Sequence, residues 1–180
     1  VFIASGIRYD LIMNDEHFGR QYLGKVVQDN TSGQMKVAPE HSEAKILKLM
    51  GKPRADQLLT FKNAFEKQCR KSGKKQFLTY YLIAAHPGCG KREMQSLKSY
   101  CREKLNIRPE QVQIFTPTPS TYSTLMYYTG LDPFSMEKIF VETDPRQKEV
   151  QKKLLTGRTE RGGKKRKKPV TKSRKNNRHR

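Results

Sequence analysis

The chain has 180 residues, 34% of them hydrophobic, and a formal net charge of +20 at pH 7. That length suits one domain, or most of one, with a modest core. The three cysteines, Cys69, Cys89 and Cys101, are odd in number and lack CxxC spacing, which argues against a disulfide framework and a conventional zinc site and favours a reducing cytoplasm.

The opening VFIASGI is apolar, has no initiator methionine or charged leader, and is too short to span a membrane. It reads as a strand, Phe2 to Ile7, entered midway through a longer protein. Asp15 to Val27 has helical character, and Gln34 to Pro39 alternates Met35 and Val37 as a strand does. Ser42 is placed to cap the next helix, with Glu43 near its positive end, and Gly51 followed by Pro53 stops it. A further helix puts Leu58, Phe61, Phe65 and Cys69 on one face. Gln76 to His86 is the longest apolar run and predicts a fully buried strand. Next come a helix with Met94, Leu97, Cys101 and Leu105 on one face and a last strand, Val112 to Phe115. This order predicts an α/β fold of parallel strands with helical crossovers, part of a barrel or open sheet.

Cys69 and Cys101 fall on apolar helix stripes, where a thiol packs as a small hydrophobe. Cys89 sits in a turn three residues after His86, a spacing that admits a thiol/imidazole pair but shows no orienting third group. Binding sites of parallel α/β folds collect at the carboxyl ends of strands. Four such ends are polar here: Ser5 to Arg8 (SGIR), Pro39 to Ser42 (PEHS), Ala85 to Gly88 (AHPG) and Thr116 to Thr121 (TPTPST). Each alone is explained by capping or turn chemistry; together they outline a ligand pocket.

KVAPEHSEAKILKLMGKP, Lys36 to Pro53, resembles the segment of radical S-adenosylmethionine enzymes in which a polar strand end precedes a helix. LIAAHPG, Leu82 to Gly88, followed by a helix and VQIFTPTPST, is similar to their later strand and its adenosine-facing turn. With FIASGIRYDL, APEHSE and QVQIFTPTPSTYSTLMYYTGLDP in order, residues 1–150 most closely resemble the YgiQ-like family of that superfamily. The resemblance implies strands three to six of a partial (β/α)6 barrel over residues 1–130 and a family-specific extension over 131–156. It implies a cofactor-binding set of Ser5, Arg8, Lys36, Glu40, His41, Ile83, His86 and Pro87, with Ile83 near the adenine and His86 and Pro87 shaping the pocket. Glu40 would accept from ribose hydroxyls or an ammonium, and Arg8 would pair with a carboxylate.

Two residues depart from the superfamily pattern. Ala85 stands where glycine is common, tolerable if Gly88 carries the turn, and Cys89 stands where methylthiotransferase-like members have glutamate. The 4Fe-4S cluster of such enzymes is held by a CxxxCxxC loop, which no cysteine spacing here matches. The resemblance therefore implies that S-adenosylmethionine and the cluster belong to a full-length protein whose cluster ligands precede Val1.

Residues 157–180 hold twelve Lys or Arg against the single Glu160, a net of +11 that leaves +9 to the rest. With almost nothing apolar to bury, this tail is expected to be disordered. It offers a second reading, a basic RNA-binding or ribosome-associated protein acting by counterion release, although the tail has no aromatic residue to stack a base.

Overall fold

The computed structural model describes residues 1–157. The expected basic tail, apart from Gly157, lies outside the described residues.

Four strands, β1 (Gly6–Ile7), β2 (Gln34–Glu40), β3 (Phe77–Ala84) and β4 (Gln113–Ile114), form one sheet in the order β1-β2-β3-β4. Every pairing is parallel, so all four carboxyl ends lie along one edge. Helices α1 (Tyr9–Asn14) and α2 (Gly19–Asp29) connect β1 to β2. Helices α3 (Ala44–Leu49) and α4 (Ala55–Lys71) connect β2 to β3, and α5 (Lys91–Tyr100) with a π-helical turn, Cys101–Leu105, leads to β4. After β4 come α6 (Tyr122–Thr129) and α7 (Pro145–Thr156). The result is an α/β half-barrel with helical crossovers. Among the described residues no helix is long and apolar enough to cross a membrane.

The core follows from periodicity. Leu58, Phe61, Phe65 and Cys69 of α4 and Met94, Leu97, Cys101 and Leu105 of the later helix are all buried, as the apolar stripes require. They pack against Met35, Val37, Leu82 and Ala84, the alternate residues of β2 and β3.

Several expectations need correction. β3 is not fully buried: Phe77 and Tyr81 are exposed, because the sheet has helices on one face and an open second face. The first strand shrinks to two residues, although Ile3 N–H still donates to Asn30 O at 2.9 Å. The helix expected from Asp15 is two helices. Asp15 ends α1, and its carboxylate accepts from the N–H groups of His17 and Phe18 in the bend before α2. That bend brings Gly19 so close to α1 that a Cβ there would lie 1.9 Å from Ile12 O, which only glycine avoids. Finally, Ser42 does not cap α3; Glu43 is the cap residue, and its N–H donates to His41 Nδ1 at 3.0 Å.

Candidate functional site

Two strands end in residues with left-handed backbone, Glu40 with φ 65° and Ala85 with φ 58°. For a residue with a Cβ this conformation costs about 1–2 kcal/mol, so the surroundings must hold it. At Glu40 the carboxylate reaches Lys52 Nζ at 2.7 Å. At Ala85 the N–H donates to Gln151 Oε1 at 3.1 Å. Gly88 is also left-handed, φ 86°, so the turn is shared by Ala85 and Gly88 rather than carried by the glycine alone.

The eight predicted residues separate into two groups. Ser5, Arg8, Lys36, Glu40 and Ile83 retain exposure, whereas His41, His86 and Pro87 are buried. Arg8 donates from Nε and from a terminal nitrogen to the two carboxylate oxygens of Asp10, at 2.8 and 2.5 Å, leaving its remaining donors at the edge. This hydrogen-bonded pair holds the Asp10 carboxyl below its ordinary pKa. Lys36 lies farther down the open face, where it lines a cleft of about 580 Å³ with Gln34, Thr79, Tyr81, Arg108 and Gln113. Lys36 alone of the eight lines that cleft, which is therefore displaced from the loops at the carboxyl edge. Ile83 sits opposite Gln113 across β3 and β4.

The interior histidines are fully engaged. His86 Nδ1 lies 2.8 Å from Pro87 O and must donate to it; Nε2, 2.8 Å from Ser123 Oγ, then accepts the hydroxyl proton. Phe115 packs edge-on against the ring at 5.1 Å, and Tyr127 beyond it stands under Lys148 Nζ. Burial lowers the His86 pKa, opposed by the Pro87 carbonyl and by Glu40. His86 thus shapes the turn instead of offering a free nitrogen. The TPTPST loop is likewise absorbed locally, with Thr121 Oγ1 capping α6 by accepting from Thr124 N–H at 3.2 Å.

Cys89 faces His41, not His86, with Sγ 3.5 Å from Nε2. Because His41 Nδ1 accepts from Glu43, the neutral ring carries its proton on Nε2, the nitrogen turned toward the thiol. Burial, assisted by His86 and opposed by Glu93, brings the His41 pKa down to about 4. Burial, then Glu93, pushes the Cys89 thiol up to about 12. A neutral thiol facing an N–H has neither the base nor the positive charge that nucleophilic cysteine chemistry needs.

Cys69, Cys89 and Cys101 are each buried on a different element. Among the described residues no group of three or more His, Cys, Asp or Glu side chains is placed to hold a metal ion. These thiols do not fit an iron-sulfur cluster. Beyond their pairs with Asp10 and Lys52, Arg8 keeps donors of the kind a carboxylate needs and Glu40 an acceptor oxygen of the kind an ammonium or a hydroxyl needs.

Sequence reasoning missed Gln151 and Ser123, which reach the turn from α7 and α6. Gln151 had a faint signal, a polar residue four before the buried Leu155 on one helix face.

Residues 110–161 match the family described as Domain of unknown function (DUF3362). A UPF0313 protein of Fusobacterium nucleatum is 60% identical over 156 residues, covering 87% of this chain and 28% of the relative. A UPF0313 protein of Clostridium perfringens is 44% identical over 155 residues, covering 86% and 23%. Another, of Thermotoga neapolitana, is 45% identical over 142 residues, covering 79% and 25%. The chain spans about a quarter of the length of these curated relatives. No solved structure matches.

Proposed function

We propose that this chain is the carboxyl-terminal part of a YgiQ-like radical S-adenosylmethionine enzyme and contributes strand ends that bind the cofactor. The observation that carries the reading is the carboxyl edge of the half-barrel. There Arg8, Glu40 and the AHPG turn, from three neighbouring parallel strands, stand side by side, with left-handed breaks at Glu40 and Ala85. The UPF0313 relatives support it, since UPF0313 is the YgiQ-like family. Arg8 would hold a carboxylate, Glu40 an ammonium or ribose hydroxyl, and Ile83 an adenine face, while His86 and Pro87 fix the turn. Bound together with an iron-sulfur cluster, such a cofactor supplies the radical chemistry for which the superfamily is named. The buried thiols of this chain take no part in holding that cluster.

Equilibrium titration of a full-length protein carrying this chain with S-adenosylmethionine tests the reading. His86→Ala is expected to weaken binding and Cys89→Ala to leave it nearly unchanged. Loss of activity confined to the Cys89 variant would favour a nucleophilic thiol instead. The 180-residue chain reconstituted alone is expected to take up no stoichiometric iron and sulfide, and a brown, cluster-loaded chain would overturn the assignment of the cluster ligands to a preceding segment.

A further inference from the structure

Ala85 N–H lies in the interior, past the end of the β3 ladder, and finds its acceptor 66 residues later on α7. A buried primary amide brings one acceptor oxygen and two N–H donors. Gln151 is fully buried and uses both ends on the same five-residue turn. Its Oε1 accepts from Ala85 N–H at 3.1 Å, and its Nε2 donates to Cys89 O at 3.4 Å. The Cys89 thiol lies 3.9 Å from the same Oε1. Gln151 therefore ties the first residue of the turn to the last. The need of Ala85 N–H for an acceptor also fixes which way the amide faces.

Other parts of the same carboxyl-terminal segment close on the residues between. Gly88 N–H donates to Phe140 O at 2.6 Å, Ser123 Oγ meets His86 Nε2 at 2.8 Å, and Phe115 lies edge-on to the His86 ring. Phe115, Ser123, Phe140 and Gln151 all fall within residues 110–161, the stretch that matches the domain of unknown function.

We infer that this segment is a brace for the Ala85–Cys89 turn and that Gln151 is its positioning residue, holding Ala85 left-handed so that the turn shaped by the buried His86 and Pro87 keeps a set form beside the cofactor. The ligand half of this inference rests on the proposed S-adenosylmethionine site; the brace itself does not. A glutamine that merely satisfied the core would tolerate loss of its amide without changing the turn. A brace would not, and its loss should be repaired by making residue 85 indifferent to the left-handed conformation.

The test uses the isotope-labelled 180-residue chain with Gln151→Met, which keeps volume and removes both hydrogen bonds, and with Ala85→Gly added to it. Amide exchange at residue 85 and the His86 ring resonances are measured on folded samples at one pH, and S-adenosylmethionine is titrated into the full-length, cluster-loaded protein carrying the same substitutions. In Gln151→Met the Ala85 amide should exchange at least about tenfold faster while Leu82 keeps its protection, and the His86 resonances should move. Affinity for S-adenosylmethionine should fall about tenfold, the consequence of an unmade buried hydrogen bond, and Ala85→Gly should restore at least half of that loss on a logarithmic scale. If Gln151→Met does not fold, Gln151→Asn, which keeps the amide but shortens its reach, should give the same exchange response. Unchanged Ala85 exchange and His86 resonances in the folded variant overturn the brace. Gln151→Met chains that show the exchange response, alongside a wild-type full-length, cluster-loaded protein that binds no S-adenosylmethionine, overturn the ligand reading and leave the brace standing.

Discussion

Met35, Val37, Leu82 and Ala84 on one face of the sheet are each less than 5% exposed, whereas their neighbours Lys36, Tyr81 and Ile83 on the other face are not buried. The same two strands therefore serve two purposes. The covered face supplies cohesion by burying apolar surface against helices. The open face leaves its side chains uncommitted to packing. The carboxyl edge is where these demands meet, and there left-handed Glu40 and Ala85 are held by Lys52 and Gln151.

The sharpest way to break this division is to truncate adjacent residues of β3. Leu82→Ala should cost about 2–5 kcal/mol of unfolding free energy, the usual range for deleting a buried leucine side chain. Tyr81→Ala, one residue earlier and half exposed, should cost less than about 1 kcal/mol. Urea denaturation of both compares the faces directly, and equal losses would mean the open face is also structural.

A comparable effect is expected from pH on the covered side of the edge. His41 has a folded pKa of about 4 against an ordinary 6.5, so the unfolded chain binds the extra proton between those values. Its contribution is fully present above pH 6.5 and is lost as pH falls through 4, about 3 kcal/mol in all at 1.36 kcal/mol per pH unit. The lowered pKa of His86 acts in the same direction. Unfolding free energies at pH 7, 5.5 and 4 should decline, and His41→Gln should flatten the decline; a His41→Gln protein with the same slope would exclude this origin.

Smaller still are the two left-handed positions of the turn, and their substitutions should have opposite signs. Gly88→Ala should destabilise by about 1–2 kcal/mol through the backbone, and its Cβ would also meet Leu49 Cδ1 at 2.5 Å. Ala85→Gly should be neutral or stabilise by up to about 1 kcal/mol, because relief of the Cβ is offset by unfolded-state entropy. Thermal melts decide, and a destabilised Ala85→Gly protein would show that residue 85 is held by side-chain packing instead. The smallest change belongs to the open face, where Lys36→Gln should stay within about 0.5 kcal/mol of wild type.

What could be read in the chain beforehand tracks the range of the interactions involved. The α4 stripe of Leu58, Phe61, Phe65 and Cys69 was legible because helix periodicity is local. The run FLTYYLIA announced β3 but not its open face, since Phe and Tyr serve both buried and half-exposed positions. Tyr9–Asn14 was illegible as a helix because six residues are too few for a period to repeat. His41 accepts from a helix-start N–H, work that Ser or Asp ordinarily performs, so this use of an imidazole had no signal in the sequence. The exposed edge positions of Arg8 and Glu40 were legible from the polar strand ends SGIR and PEHS, whereas Lys36 entered only through the family resemblance and lies below the edge. Gln151 and Ser123 were not legible, because no local pattern encodes a hydrogen bond spanning 66 or 37 residues.

That separation of 66 residues between Ala85 and Gln151 also has a meaning in time. At ordinary synthesis rates a ribosome needs roughly 3–13 s to travel from the turn to its partner. During that interval β1, β2 and β3 already exist as chain and can pair, while the amide of Ala85 has no acceptor from α7. The Ala85–Cys89 corner is thus finished after the sheet that carries it, and a nascent chain stopped before Pro145 has the strands but not the Gln151 tie across the turn. Setting of the turn is coupled to synthesis of α7, so that an interrupted product carries the sheet without its fixed corner.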